Sequence, residues 1–97
     1  MSNEHKRDIL RTAAFRKDVR LASKQGRNIP LLERIINILA DDIPLPDKYR
    51  DHALQGNWKG HRECHLAPDW LLVYRKTDNG ELLLTLTRLA SHSKLDF

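Results

Sequence analysis

Cysteine, glycine and proline are scarce in this chain of 97 residues, which has one cysteine, four glycines and four prolines. The lone Cys64 excludes an internal disulfide and a cysteine-based zinc cluster, and it favours a reducing compartment. No apolar run approaches the roughly 20 residues that cross a bilayer, and Met1–Asp8 is too polar for a signal peptide. We therefore expect a cytoplasmic protein with no membrane partner.

The length and the absence of nucleotide-binding motifs limit the function further. A chain of 97 residues, 40% hydrophobic and 31% charged, is typical of a single soluble domain, here spanning residues 1–97. Neither a Gly-rich phosphate loop nor a Gly-x-Ser-x-Gly turn is present, which excludes two large enzyme classes.

Positive charge is concentrated in the first third of the chain. Residues 1–34 contain nine Lys/Arg and four Asp/Glu, whereas residues 35–97 contain eight and nine, so the two parts carry +5 and −1. A localised basic excess attracts polyanions, which makes nucleic acid the leading partner class. The alternative is a solvated helix face.

The hydrophobic pattern predicts an α+β fold. A strand at Asp8–Thr12 leads into an amphipathic helix over Ala13–Gln25, ended by Gly26. Asn28 is predicted to cap a second helix that stops at Asp41–Asp42. The remaining segments are predicted as a surface loop over 43–60 and as strands at His61–Leu66, Trp70–Lys76 and Glu81–Leu89. These strands form an antiparallel meander, with the helices on one face and the other face partly exposed.

Side-chain alternation assigns faces within these elements. On the first helix, the apolar side holds Phe15, Val19 and Ala22, and the opposite side holds a basic stripe of Arg16, Arg20, Lys24 and Arg27. In the middle strand, Leu71 and Val73 face away from Trp70, Leu72 and Tyr74. In the last strand, Leu82, Leu84 and Leu86 alternate with Leu83, Thr85 and Thr87. Trp70 is predicted to be a core residue.

A polar strand face carries His61, Glu63 and His65, while Cys64 projects to the opposite face. Three interpretations stay open: a solvated surface, a zinc or iron site, and general acid–base catalysis. A nucleic-acid partner favours the last, because RNA supplies its own 2′-hydroxyl nucleophile and needs only a base, an acid and a nearby cation. The candidate cations are Lys59, Arg62 and Arg88.

Four motifs resemble the YafQ branch of the RelE superfamily, toxins of bacterial type II toxin–antitoxin systems. The motifs are Asp51–Trp58, Arg62–His65, Pro68–Tyr74 and Ser91–Ser93. The resemblance covers nearly the whole chain. It implies a RelE-like fold, with an N-terminal strand and a two-helix hairpin packed on a curved antiparallel sheet.

The resemblance also implies a function and partners. It implies a ribosome-dependent endoribonuclease that cuts messenger RNA without a metal or other cofactor, leaving a 2′,3′-cyclic or 3′-phosphate end. The partners implied are the 70S ribosome, mRNA and a cognate RelB/DinJ-like antitoxin, with operator DNA contacted only through the antitoxin complex. The alternatives are a catalytically silent relative, serving as a nucleic-acid-binding or repressor partner, and a metal-dependent hydrolase.

Carried onto this sequence, the family's catalytic positions fall on His52, Glu63, His65, Asp69 and His92. Two departures from the family pattern stand out. Glu63 replaces a frequent Asp, and the tail is one residue longer between His92 and Phe97. The candidate RNA contacts are Arg16, Arg20, Lys24, Arg27, Lys59, Arg62 and Phe97.

Overall fold

Two helices and a five-stranded sheet make up most of the protein in the computed structural model, which describes residues 5–95. The strands are β1 (Asp8–Arg11), β2 (His52–Ala53), β3 (Arg62–Ala67), β4 (Trp70–Thr77) and β5 (Leu83–Ala90). The helices are α1 (Ala13–Lys24), α2 (Ile29–Ala40) and the short α3 (His92–Leu95). The α+β class is confirmed. No helix in the described part of the chain is long and apolar enough to span a membrane.

Both long helices begin at a side-chain cap, of which Asn28 was predicted and Thr12 was not. The Thr12 hydroxyl accepts a hydrogen bond from the N–H of Phe15 at the start of α1, and the Asn28 side chain accepts one from Leu31 in α2. Gly26 ends the first helix with φ +76°, a left-handed conformation that glycine adopts without steric cost.

The sheet is larger than the predicted meander. Its strand order is β1-β5-β4-β3-β2, in which β1 runs parallel to β5 and the other pairs are antiparallel. The prediction of a featureless loop over 43–60 was wrong, because this segment contains β2 and two 3₁₀ turns, Asp47–Tyr49 and Gly56–Trp58. These elements are too short to leave a periodic signal in the sequence.

The two faces of the sheet are covered by different parts of the chain. Trp70, Leu72 and Tyr74 pack with α1 and α2 in the main core, as the alternation predicted. Leu71 and Val73 face the other way and are also fully buried, against Leu95 of α3 and against Leu54 and Trp58. The expectation that this second face is partly exposed was therefore wrong at its centre.

An extra residue in β5 changes which side chains share a face. Val73 pairs with Arg88 but Tyr74 pairs with Leu86, so Thr87 is inserted as a bulge. As a result Leu89 joins Leu84 and Leu86 in the main core, although simple alternation would place it opposite. This insertion could not be read from the period-two pattern.

Candidate active site

Three of the predicted catalytic residues meet on the sheet face opposite α1 and α2. Nε2 of His52 lies 2.8 Å from Oε2 of Glu63, and Nε2 of His65 lies 3.7 Å from the same oxygen. Glu63 is 4% exposed, whereas the His52 side chain is 50% exposed. One buried carboxylate oxygen therefore lies between two imidazoles, a geometry that suits charge-assisted hydrogen bonding.

The strand register explains this meeting. Glu63 is opposite Val73 and His65 is opposite Leu71, and directly opposed residues project to the same face. His52 is opposite Glu63 in the antiparallel pair of β2 and β3. The prediction that Glu63 and His65 share a face is confirmed, and β2 adds His52 to it.

His92 and Asp69 form a second pair beside His65. The backbone N–H of His92 donates to Oδ1 of Asp69 at 3.1 Å, and Nδ1 of His92 lies 3.3 Å from that oxygen. The ring centroids of His65 and His92 are 5.6 Å apart, and those of His52 and His65 are 6.1 Å apart. All five predicted catalytic residues thus belong to one continuous row of contacts.

A bulge in β3 helps to place this row. His65 pairs with Leu71 and Ala67 with Trp70, so Leu66 is an extra residue just before the turn that carries Asp69. Leu66 is buried in the main core. Bulges bend a strand and change the aim of neighbouring side chains, and they are frequent beside active sites.

The surroundings of His65 and of Asp69 lower the pKa values of both groups, for different reasons. Burial, more than any neighbouring charge, lowers the pKa of His65 below its ordinary value of 6.5, and the carboxylate of Glu63 only partly offsets this. The hydrogen bond from the His92 N–H is the main reason that the pKa of Asp69 is lowered. His65 therefore favours its neutral form, and Asp69 favours its ionised form beside His92.

A buried tyrosine fixes the residue that precedes His52. The Tyr74 hydroxyl donates to Oδ1 of Asp51, which Nε of Arg62 also contacts at 3.2 Å. Burial, followed by the Asp51 carboxylate, raises the pKa of Tyr74 far above its usual value. The hydroxyl therefore remains a donor, and Asp51 is held on the side of the sheet opposite His52.

His61 does not join the catalytic row, although alternation placed it with Glu63 and His65. It precedes β3, and its ring packs edge-on against Trp58 with centroids 5.5 Å apart. Trp58 packs on the same sheet face as Val73, so His61 keeps to the predicted face but contacts Trp58 and not the other histidines. Burial is the main reason that the pKa of His61 is lowered.

The residues that could hold a metal ion are therefore different from the predicted set. The possible ligand atoms of His52, Glu63 and His65 all lie within 4.8 Å of one another. Oε1 of Glu63 is buried without a hydrogen-bond partner among the described residues. Two imidazoles and a carboxylate are a donor set that suits zinc and other divalent transition metals.

The predicted RNA contacts occupy several surfaces. Arg16, Arg20, Lys24 and Arg27 are all exposed, as is Lys59 in the loop before β3. The Arg27 guanidinium lies 5.4 Å from the ring centroid of Trp70, which is 4% exposed. Arg62 is engaged with Asp51, and Arg88 is engaged with Asp18, so neither is an unengaged cation.

Three further predictions concern single residues. Trp70 and Cys64 are core residues, as predicted, and burial raises the pKa of the Cys64 thiol well above its usual range. Trp58 is half-buried against the second face of the sheet. Phe97 lies outside the described residues.

Sequence reasoning missed two carboxylates with structural roles, of which Asp51 is next to the site. Asp51 anchors the His52 segment, and Asp18 is buried in α1, where it accepts hydrogen bonds from Arg88 and from the Leu89 N–H. Asp18 lies one residue before the apolar position Val19, so a wider helical stripe would have contained it. Nothing in the sequence pattern pairs Asp51 with Tyr74.

Comparison with known proteins agrees with this geometry. The family described as "Bacterial toxin of type II toxin-antitoxin system, YafQ" matches residues 7–96. The mRNA interferase toxin YafQ of Escherichia coli K12 is 41% identical over 90 residues, which cover 92% of this chain and 95% of that protein.

Solved structures give the same result. The E. coli DinJ–YafQ toxin–antitoxin complex contains a chain with a TM-score of 0.83 and 41% identity, covering 93% of this chain and 97% of that one. A metal-bound toxin from Helicobacter pylori has a TM-score of 0.84 and 44% identity, covering 91% and 97%. The chain belongs to the YafQ family of bacterial type II toxins.

Proposed function

We propose that this protein is an endoribonuclease that cuts messenger RNA by attack of the ribose 2′-hydroxyl on the adjacent phosphate. The observation that carries the proposal is the row of His52, Glu63, His65 and His92, in which each imidazole is in contact with a carboxylate or another imidazole. Such a row supplies both proton-transfer groups that the reaction needs.

We assign the proton transfers from the electrostatics of the two pairs. His65 is the general base, because burial favours its neutral form, which can take the 2′-hydroxyl proton. His92 is the general acid that protonates the departing 5′-oxygen, because Asp69 contacts both its backbone N–H and its Nδ1 and so holds the ring in place beside His65. The 2′-oxygen forms a bond to phosphorus as the bond to the 5′-oxygen breaks, which leaves a 2′,3′-cyclic phosphate.

His52 and Glu63 have supporting roles in this assignment. The buried Glu63 carboxylate orients His52 through a contact of 2.8 Å, and the same oxygen lies 3.7 Å from Nε2 of His65. The exposed edge of His52 faces the solvent side of the row, where an RNA phosphate can reach it. A protonated His52 then offers a donor to the phosphate oxygens as negative charge develops on them.

The ribosome and a cognate antitoxin are the partners that this function requires. The site is an open row on a sheet face, and the cavity beside it is open to solvent and not enclosed, so the substrate must be positioned by a larger particle. The exposed arginines and lysines of α1 can bind ribosomal RNA, with a strength that falls as salt rises. The E. coli relative has been solved with its DinJ antitoxin, and we extend an antitoxin of that kind to this chain.

Cleavage on programmed ribosomes tests this function. Purified protein is mixed with ribosomes carrying a defined mRNA in one series and with the same mRNA alone in another. We expect cuts only on the ribosome, with 2′,3′-cyclic or 3′-phosphate and 5′-hydroxyl ends. Equal cutting of free RNA would refute ribosome dependence, and ribosome binding without any cut would instead establish the catalytically silent alternative.

A further inference from the structure

A groove of about 580 Å³ begins beside the two proposed proton-transfer residues. It runs from His65 and His92 towards α2 and the 3₁₀ turn Asp47–Tyr49. Its walls include Leu31, Lys48, Tyr49 and Arg50. None of the described residues that line the groove is acidic, so it combines two permanent cations with two imidazoles.

Arg50 reaches this groove through an unusual backbone conformation. Its φ and ψ are 49° and 47°, the left-handed region that a non-glycine residue adopts at a steric cost. The next residue, Asp51, is held by Tyr74 and Arg62. The sharp change of direction therefore puts the Arg50 side chain on the groove and the Asp51 carboxylate away from it. Backbone strain of this kind is concentrated at functional sites.

The Arg50 guanidinium differs from three other arginines close to the sheet, and it is the arginine that lines the groove. Arg7, Arg62 and Arg88 are each paired with an aspartate. Arg50 has no carboxylate partner within residues 5–95. It is close enough to His65 to contribute to the lowered pKa of that imidazole. A strained, unpaired cation beside the proposed general base has no structural task in the fold.

Lys48 supplies the second cation of the groove. Its Nζ lies 5.2 Å from the ring centroid of Tyr49, which is half-buried against the main core. The ring thus restricts an otherwise flexible ammonium group to the rim. Two cations at neighbouring positions on one wall match the charge of a polyanion backbone, since consecutive RNA phosphates each carry one negative charge.

We propose that this groove is a phosphate subsite that binds the phosphodiester next to the cleaved one, with Arg50 as its main contact and Lys48 as a secondary contact. The inference rests on the proposed endoribonuclease function and deepens it. A guanidinium binds two phosphate oxygens through parallel N–H donors, so it can fix the RNA strand in register with His65 and His92. Arg50 is in this sense a specificity-determining residue for where the strand is cut.

The test combines a protein change with a substrate change. Arg50→Gly removes the guanidinium and suits the left-handed backbone, so the fold is retained. Arg50→Lys keeps a charge, and Arg11→Ala is the control, because Arg11 is an exposed cation in β1 that does not line the groove. Each protein is assayed on programmed ribosomes with mRNAs in which one phosphate, either side of the cut, is a neutral methylphosphonate.

We expect Arg50→Gly to lower kcat/KM about 10- to 100-fold on unmodified mRNA, the effect of losing a charge-assisted contact. For the wild type, one methylphosphonate position should cause a similar loss. That substitution should cause no further loss in Arg50→Gly, and Arg50→Lys should recover part of the activity. Arg11→Ala should remain as sensitive to the methylphosphonate as the wild type.

A binding experiment separates failure of the subsite from failure of the proposed function. A trinucleotide with 2′-deoxyribose at the cleaved position, which cannot react, is titrated into ¹⁵N-labelled wild type and Arg50→Gly. Weaker binding by the variant supports the subsite even if the wild type cuts no mRNA. If the wild type cuts mRNA and Arg50→Gly retains full methylphosphonate sensitivity and equal trinucleotide affinity, the subsite is refuted.

Discussion

Nε2 of His52 lies 2.8 Å from Oε2 of Glu63, and the same two residues are directly opposite each other in the register of β2 and β3. A two-residue strand therefore presents an exposed imidazole to a buried carboxylate. Among residues 5–95, the side chains that lie close to the Glu63 carboxylate as ion-pair partners are those of His52 and His65.

Glu63→Gln tests the charge of this carboxylate. The amide keeps an acceptor for an imidazole N–H but cannot stabilise a charged ring, so we expect single-turnover cleavage to fall about tenfold, which corresponds to about 1.4 kcal/mol. The Nε2 resonance of His52, followed by NMR, should change, because the oxygen it contacts at 2.8 Å is part of an uncharged amide in the variant. An unchanged Nε2 resonance would contradict the contact between His52 and Glu63.

The two proposed proton-transfer residues should matter more than their carboxylates. His65→Ala and His92→Ala should each lower single-turnover cleavage about 10²- to 10⁴-fold, the usual contribution of a general acid or base. Ribosome affinity should change little. His5→Ala is the matched control, because Nδ1 of His5 also lies 3.1 Å from an aspartate, Asp41, outside the site. Equal losses in the control and the site variants would point to a general loss of structure.

The lowered pKa of His65 predicts an asymmetric pH profile. A base whose pKa lies below the ordinary 6.5 stays neutral at lower pH. The decrease of kcat/KM on the acid side of the profile should therefore have its midpoint below pH 6.5. The same shift affects stability. Because the unfolded chain takes up this proton at a higher pH than the folded protein does, stability should decrease as pH falls through 6.5.

Denaturant unfolding at several pH values checks the second effect. His65→Gln should remove part of the acid-induced loss of stability, since glutamine does not titrate. A stability difference between the two proteins that is independent of pH would show that His65 has no shifted pKa.

Tyr74→Phe tests how the His52 segment is held. The change removes the hydroxyl that donates to Asp51, which keeps its contact with Arg62, and should lower the free energy of unfolding by about 1.5–3 kcal/mol, the usual contribution of a hydrogen bond to a charged group. Hydrogen exchange should become faster at Ala53, next to His52, and kcat should fall while the fold is retained. If exchange at β2 is unaltered, Asp51 does not position His52.

The hydrophobic pattern was sufficient for most of the fold and insufficient for part of the site. The caps at Asn28 and the stripe of α1 follow from local rules, so the long helices could be predicted within one or two residues. The inserted residues Leu66 and Thr87 depend on pairing between strands, which no single segment encodes.

The same distinction applies to individual site residues. His65 and Glu63 share a strand, and alternation was enough to bring them together. His52, Asp51 and Arg50 lie in a segment whose path is set by tertiary contacts with Tyr74 and Glu63. The resemblance to known toxins supplied His52 as a site residue, but not its partner. Arg50 carried no sequence signal beyond its charge.

Metal binding distinguishes the ligand set that the structure brings together from the set that the strand pattern predicted. The ligand atoms of His52, Glu63 and His65 lie within 4.8 Å of one another, whereas His61 packs against Trp58. We expect zinc to bind the first set and to inhibit cleavage, because the metal occupies the imidazole lone pair that His65 needs as a base. His52→Ala and Glu63→Gln should each weaken zinc binding about 10-fold or more, as measured by calorimetry.

His61→Ala is the matched control and should bind zinc as the wild type does. Loss of binding in His61→Ala, with affinity retained in His52→Ala, would show instead that the ion uses the predicted strand set of His61, Glu63 and His65.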